Sequence, residues 1–180
     1  MRKLTKAMAA IAVALAFITM EARASDKWPQ EPNGFKGVAF GASAADLQKV
    51  IHARCTGTKE IRSCFTREIQ PFNWVDLVFR GDHLARVVAE IPSADFDSIR
   101  SLFIEKYGPP HTETHEPVQN LMGAQYDNVI LRWMGDGINI TLKRFGETLT
   151  EGAVIFVTPA ESAQLNAEAK IEREKTKKSF

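Results

Sequence analysis

From Phe35 to Thr158 the chain switches between two hydrophobic periods, and the switches predict its elements. GFKGVAFG at 34–41 alternates Phe35, Val38 and Phe40 among three glycines, which predicts a short strand or extended arm. Ser43 and Asp46 have the spacing of a capping box, so a helix starts there. Leu47, Val50 and Ile51 continue it at helical spacing, the series reaches Cys55, and Gly57 supplies a stop. From Cys64 the period falls to two. Val75, Leu77 and Phe79 share one face, Gly81-Asp82-His83 turns, and Val87, Ala89 and Ile91 share a face of the returning strand. Pro92-Ser93 opens a second helix with the stripe Phe96, Ile99, Phe103 and Tyr107, ended by Gly108-Pro109-Pro110. Strands resume with Val129, Leu131 and Trp133, a turn at Gly135-Asp136-Gly137, then Ile138, Ile140 and Leu142, and finally GAVIFVT at 152–158.

The order is a helix followed by antiparallel strands, twice. Shifting the first helix by 52 positions sets Leu47 on Ile99, Ile51 on Phe103 and Cys55 on Tyr107, which suggests tandem halves at 34–92 and 93–159. Two helices with one apolar face each, and five or six half-polar strands, bury those faces by laying the helices on one side of a sheet. The expected fold is therefore a two-layer α+β domain over 34–159. A polar leader, SDKWPQEPN at 25–33, precedes it and reads as flexible, with Trp28 the one side chain able to pack. Residues 160–180 are rich in Ala, Glu and Lys, with Leu165 and Ile171 the only large apolar residues before Phe180. That composition predicts a solvated charged helix fraying into a tail, and leaves open a helix that docks a partner through those two side chains.

The N-terminus sets the compartment. Arg2, Lys3 and Lys6 precede an uncharged run from Ala7 to Met20, and Ala22-Arg23-Ala24 offers small residues at the two positions a signal peptidase inspects. The run is shorter than the ~20 residues of a membrane span. The expectation is a signal peptide at 1–24, cleaved near Ala24-Ser25, and a periplasmic or secreted product with no stable membrane insertion. Cleavage takes the chain from 23 basic and 22 acidic residues to 19 and 21, a net charge of −2. With no basic stripe able to displace counterions, nucleic acid is excluded as a partner. In an oxidising compartment two cysteines and no others, Cys55 and Cys64, read as a disulfide. Placed on the first helix at the position Tyr107 holds on the second, Cys55 is expected to fasten the helix end to the sheet, with His52 solvated beside it.

Candidate chemistry is sparse. GPPHTETHE at 108–116 gathers His111, Glu113 and His115, all of metal-ligating type, but prolines on both sides deny them a helix and place them in a loop. No GxSxG or HExxH motif and no phosphate-binding glycine loop occurs in the mature chain. His83 reads as an exposed turn residue. The carboxylate pairs Asp95/Asp97 and Glu113/Glu116 lack an apolar setting that would split their pKa values for acid/base work. No catalytic residue and no cofactor is assigned, and an enzyme would have to assemble its site from distant positions.

GFKGVAFG before a capped helix, the hairpin LVFRGDHLARVV, the helix end EKYGPP and the strand RWMGDGINITL together resemble a group of small uncharacterised exported bacterial proteins. Their halves are similar to the β-lactamase-inhibitor-protein-like α+β architecture, which small outer-membrane assembly lipoproteins also use. The resemblance covers about residues 34–158 and implies a non-enzymatic domain whose sheet face or loops bind another protein of the cell envelope. The chain departs from the lipoproteins in having no cysteine at the cleavage point, so it is not tethered by lipid. A protein-binding module of inhibitor, immunity or envelope-assembly type predicts an exposed aromatic patch including Trp74 or Trp133. The alternative, a periplasmic small-ligand or metal-binding protein, predicts that His111 and His115 converge. Oligomeric state is left open.

Overall fold

The structure is a computed structural model, and residues 28–178 are described; the expected signal peptide lies outside them. Chain entry is a two-strand hairpin, β1 (Gly34–Phe35) and β2 (Val38–Ala39). Lys36 and Gly37 both hold positive φ (49° and 87°) there, the twist that suits a two-residue hairpin loop. Helix α1 (Ala44–Gln48) follows, then β3 (Arg54–Gly57), β4 (Ile61–Thr66), β5 (Trp74–Arg80) and β6 (His83–Pro92). After a 3₁₀ turn at Ser93–Asp95 come α2 (Phe96–Tyr107), β7 (Thr112–Gln119), β8 (Gln125–Met134), β9 (Asn139–Lys143), β10 (Glu151–Val157) and α3 (Pro159–Lys178).

Eight strands form one antiparallel sheet in the order β3-β4-β5-β6-β10-β9-β8-β7. Each half is a helix followed by a four-strand meander, and the halves join where β6 pairs with β10, Val87 opposite Phe156 and Ala89 opposite Val154. Strand alternation sends Val75, Leu77, Phe79, Val87, Ala89, Ile91, Leu131, Trp133, Ile140, Leu142, Val154 and Phe156 to one face, all buried. Phe103 and Tyr107 of α2 meet that face, with ring centroids 6.0 Å from Trp133 and 6.2 Å from Phe156. Phe35 of the entry hairpin reaches the same core, 5.4 Å from Phe156. The molecule is thus mixed α+β, built on a large antiparallel sheet with a few helices.

Three expectations are corrected. The first helix does not reach Cys55. Its capping box forms as the spacing predicted, Asp46 N donating to Ser43 Oγ and Ser43 N to the Asp46 carboxylate, but α1 ends at Gln48. Val50 and Ile51 are β-branched and favour extended backbone, the Gln48 amide donates to Ala53 O at 2.9 Å, and the chain leaves as β3. Val50, assigned to the apolar stripe, is exposed. Cys55 and Tyr107 are therefore not equivalent, one lying in a strand and the other at the end of α2.

The second correction concerns the expected loop at 108–116, which becomes the edge strand β7 from Thr112 onward, while His111 stays in the connection before it. Pro117 is tolerated there because an edge strand has one side of its backbone unpaired. The third concerns the leader. Trp28 is buried, its indole N–H donates to Tyr107 O at 2.7 Å, and Trp133 donates likewise to Gly108 O at 2.9 Å. Two indoles thus satisfy carbonyls that the C-terminal turn of α2 leaves without partners. Glu31 adds a second tie, its carboxylate accepting the amides of Asp136, Gly137 and Ile138 in the β8–β9 turn at 3.3, 2.6 and 2.9 Å. The described part of the leader, residues 28–33, is anchored at Trp28 and at Glu31.

Candidate functional site

Cys55 and Cys64 form a disulfide, as their number predicted, but what it fastens is different. They sit directly opposite each other in the β3–β4 ladder, Cα atoms 4.0 Å apart, so the bond ties the edge strand to its neighbour and not a helix end to the sheet. Trp133 is fully buried in the core, so it belongs to no surface patch. Its position follows from phase: it shares a face with Leu131, whereas Trp74 precedes Val75 and falls on the opposite face.

On that opposite face the side chains of Phe65, Trp74 and Glu90 form a fixed shelf. The Glu90 carboxylate accepts the Trp74 indole N–H at 2.7 Å and the Asn73 amide at 2.9 Å, which locks the indole. Phe65, 39% exposed, stacks on it with centroids 6.0 Å apart and planes inclined by 28°. Arg67 lies over the other ring, its guanidinium carbon 5.6 Å from the Phe65 centroid. Beside the shelf a groove of about 320 Å³ runs over Trp74, Val88, Ala153 and Ile155, rimmed by Glu90, Glu147 and Glu151 with Lys143 as its one cation. Val88 and Ile155 oppose each other across the β6–β10 junction and are only half-buried. The arrangement offers a rigid aromatic anchor, an apolar floor and a mainly acidic rim.

The metal-type residues do not converge. His111 accepts the Met134 amide N–H at 3.0 Å and has its ring 5.8 Å from Trp28. His115 is four residues further on, inside β7, about 13 Å away at the usual strand rise. Its Nδ1 meets Asp127 Oδ2 at 2.6 Å and its Nε2 lies 3.6 Å from Glu113, whose carboxylate takes two hydrogen bonds from Arg100 of α2 at 3.1 and 2.9 Å. The bond to Asp127, aided by the nearby Glu113 charge, raises the His115 pKa above 6.5. The result is a salt-bridge cluster in which every carboxylate already faces a cation. Among the described residues no group of three His, Cys, Asp or Glu is placed to hold a metal ion.

A second polar cluster escaped the sequence because its carboxylates lie 81 and 88 residues from its arginine. Arg80 donates through Nε to Glu161 at 2.5 Å and through Nη1 to Glu168 at 3.3 Å, docking the first turns of α3. Beyond Leu165 that helix is exposed, as its composition predicted, and among the described residues no helix is long and apolar enough to cross a membrane. His83, expected to be an exposed turn residue, opens β6 and donates through Nδ1 to Gly41 O at 2.9 Å. The shelf residue that sequence reasoning missed is Phe65. Its only signal was phase, since Phe65 and Trp74 both alternate against their strands' buried sets. Comparison with protein-family models, curated proteins and solved structures gives no match for this chain.

Proposed function

We propose that this chain is an exported, non-catalytic protein-binding module of inhibitor, immunity or envelope-assembly type. It acts in the periplasm or outside the cell after cleavage near Ala24-Ser25, and its partner is another protein of the envelope. In this reading α1 and α2 pack on one face of the sheet and leave the other face free to bind, the layout that the inhibitor-like resemblance implies. The disulfide at Cys55–Cys64 supports an oxidising compartment.

The observation that carries the proposal is the Phe65–Trp74 shelf beside the Val88–Ile155 groove. Aromatic side chains held in place before binding lose little entropy on docking, and such residues dominate the energy of protein interfaces. The test is affinity isolation from envelope extract with wild-type protein and with Trp74→Ala/Ile155→Lys, compared by quantitative mass spectrometry. Wild type is expected to retain a stoichiometric partner that the variant loses at unchanged melting temperature. Equal retention by both would place binding elsewhere.

A further inference from the structure

The β7–β8 hairpin projects beyond the rest of the sheet. Strand β8 pairs with β9 from Ile130 to Met134, and Val129 O and the Asn128 side chain still bond Arg144 and Phe145, whereas its pairing with β7 continues to Gln119 opposite Gln125, an arm of about 10 Å beyond Asn128. At its tip Leu121 is 108% exposed and Met122 90%. The tip is ordered nonetheless. Asn120 Oδ1 accepts the amides of Met122 and Ala124 at 3.0 and 2.9 Å, Asn120 O accepts that of Gly123 at 3.0 Å, and the Gln119 side chain donates to Gly123 O at 2.9 Å. A turn held this firmly presents two apolar side chains that contribute nothing to the fold.

Charge selects what receives them. Residues 116–128 contain Glu116 and Asp127 and no Lys or Arg; Asp127 is paired with His115, so Glu116 sets the arm's charge, and the fitting site offers an apolar contact ringed by basic side chains. The chain carries such a site. At the β3–β4 edge a shallow groove of about 640 Å³ presents Phe65 and Ala53 beside the polar Gln48 and Thr66, with Arg54, Arg67 and His52 around them against the single acid Glu68. Following the register from Phe65 through Asp76, Val88, Ile155 and Thr141 to Arg132 puts Arg67 and the hairpin tip toward the same end of the sheet, on opposite edges. A two-fold axis perpendicular to the line from tip to groove at its midpoint exchanges the two positions, the relation a closed reciprocal contact requires.

We infer that two copies of this chain form a closed dimer through reciprocal docking of Leu121 and Met122 into the Phe65 groove. Both contacts are small, so the dimer is weak and exchanges with monomer. It covers Phe65 and therefore competes with the partner proposed above, but it does not rest on that partner.

Sedimentation velocity on purified protein, from about 5 to about 500 μM, tests this, with a dissociation constant on the order of 10–100 μM expected. Leu121→Ser/Met122→Ser and Arg54→Glu/Arg67→Glu alter exposed side chains and should keep the wild-type melting temperature while each weakens association by roughly tenfold or more. An equimolar mixture of the two variants retains one intact contact of the two and should associate more tightly than either alone. If the charge-reversed groove does not fold, Arg67→Gln with added salt replaces it, and both should weaken the dimer. The inference is overturned by a monomer throughout the range, by a groove variant that dimerises like wild type, since tips then pair with tips, or by a mixture that gains nothing. It is equally overturned if wild type stays monomeric and co-sediments with phosphatidylethanolamine–phosphatidylglycerol vesicles while the tip variant does not. A monomeric result leaves the partner proposal standing, because that is read from retention by Trp74 and Ile155 variants.

Discussion

Reducing the Cys55–Cys64 bond should loosen one strand. The bond links residues nine apart in sequence, and closing a loop of that size contributes ~2.7 kcal/mol in the chain-entropy treatment. In a domain of this length ~1 kcal/mol moves the melting temperature by ~2–4 °C, so reduction should lower it by about 5–10 °C. Comparing oxidised with reduced wild type is preferable to substitution, because Cys64 is fully buried and its replacement would add a packing cost. The loss should also be local. Strand β3 has a single neighbour and four residue pairs, so hydrogen exchange should accelerate at Arg54–Gly57 on reduction while Ala44–Gln48 of α1 keeps its protection. An unchanged melting temperature would refute the contribution, and loss of protection in α1 with β3 unaffected would restore the helix-end fastening that the sequence suggested.

Trp28→Phe removes the donor to Tyr107 O and should cost ~1 kcal/mol, and Trp28→Ala ~3–5 kcal/mol, measured by urea unfolding; no effect would show that the leader is not anchored. Glu161→Gln leaves Arg80 facing only the half-exposed Glu168, and since the Glu161 side chain is 1% exposed the cost should be about 2–3 kcal/mol, with earlier proteolysis in α3. His115 should titrate above 6.5 by NMR and fall back toward it in Asp127→Asn. Because its folded pKa is raised, the stability it adds is complete below ~6.5 and lost as pH rises through the raised value, so the variant should differ most from wild type on the acid side.

What could be read from the sequence was whatever depended on neighbours along the chain. The stripe Phe96-Ile99-Phe103-Tyr107, the Gly81-Asp82 turn, the capping box at Ser43 and the alternation of β5, β6, β9 and β10 are local patterns, and each lies where its period placed it. The errors came where local and long-range terms disagree. Leu47, Val50, Ile51 and Cys55 fit a helix by spacing, but pairing of Cys55 with Cys64 draws the segment into a sheet. TETHEPVQ has no apolar alternation because an edge strand buries almost nothing, so β7 left no periodic signal. Trp74 and Trp133 looked equivalent as aromatic residues in strands, and only the phase relative to Val75 and Leu131 separates a surface anchor from a core residue. The shelf itself depends on Glu90 reaching across from the neighbouring strand, a contact set by register.

Site-specific photo-crosslinking in living cells tests the central claim most directly. A benzoylphenylalanine in place of Val88 or Ile155, on the half-buried floor of the groove, is compared with one in place of Leu102, exposed on α2. The account predicts one discrete protein adduct from the two groove positions, lost when Trp74→Ala is added, and none from Leu102. Adducts at Leu102 but not in the groove, or groove adducts indifferent to Trp74, would contradict it.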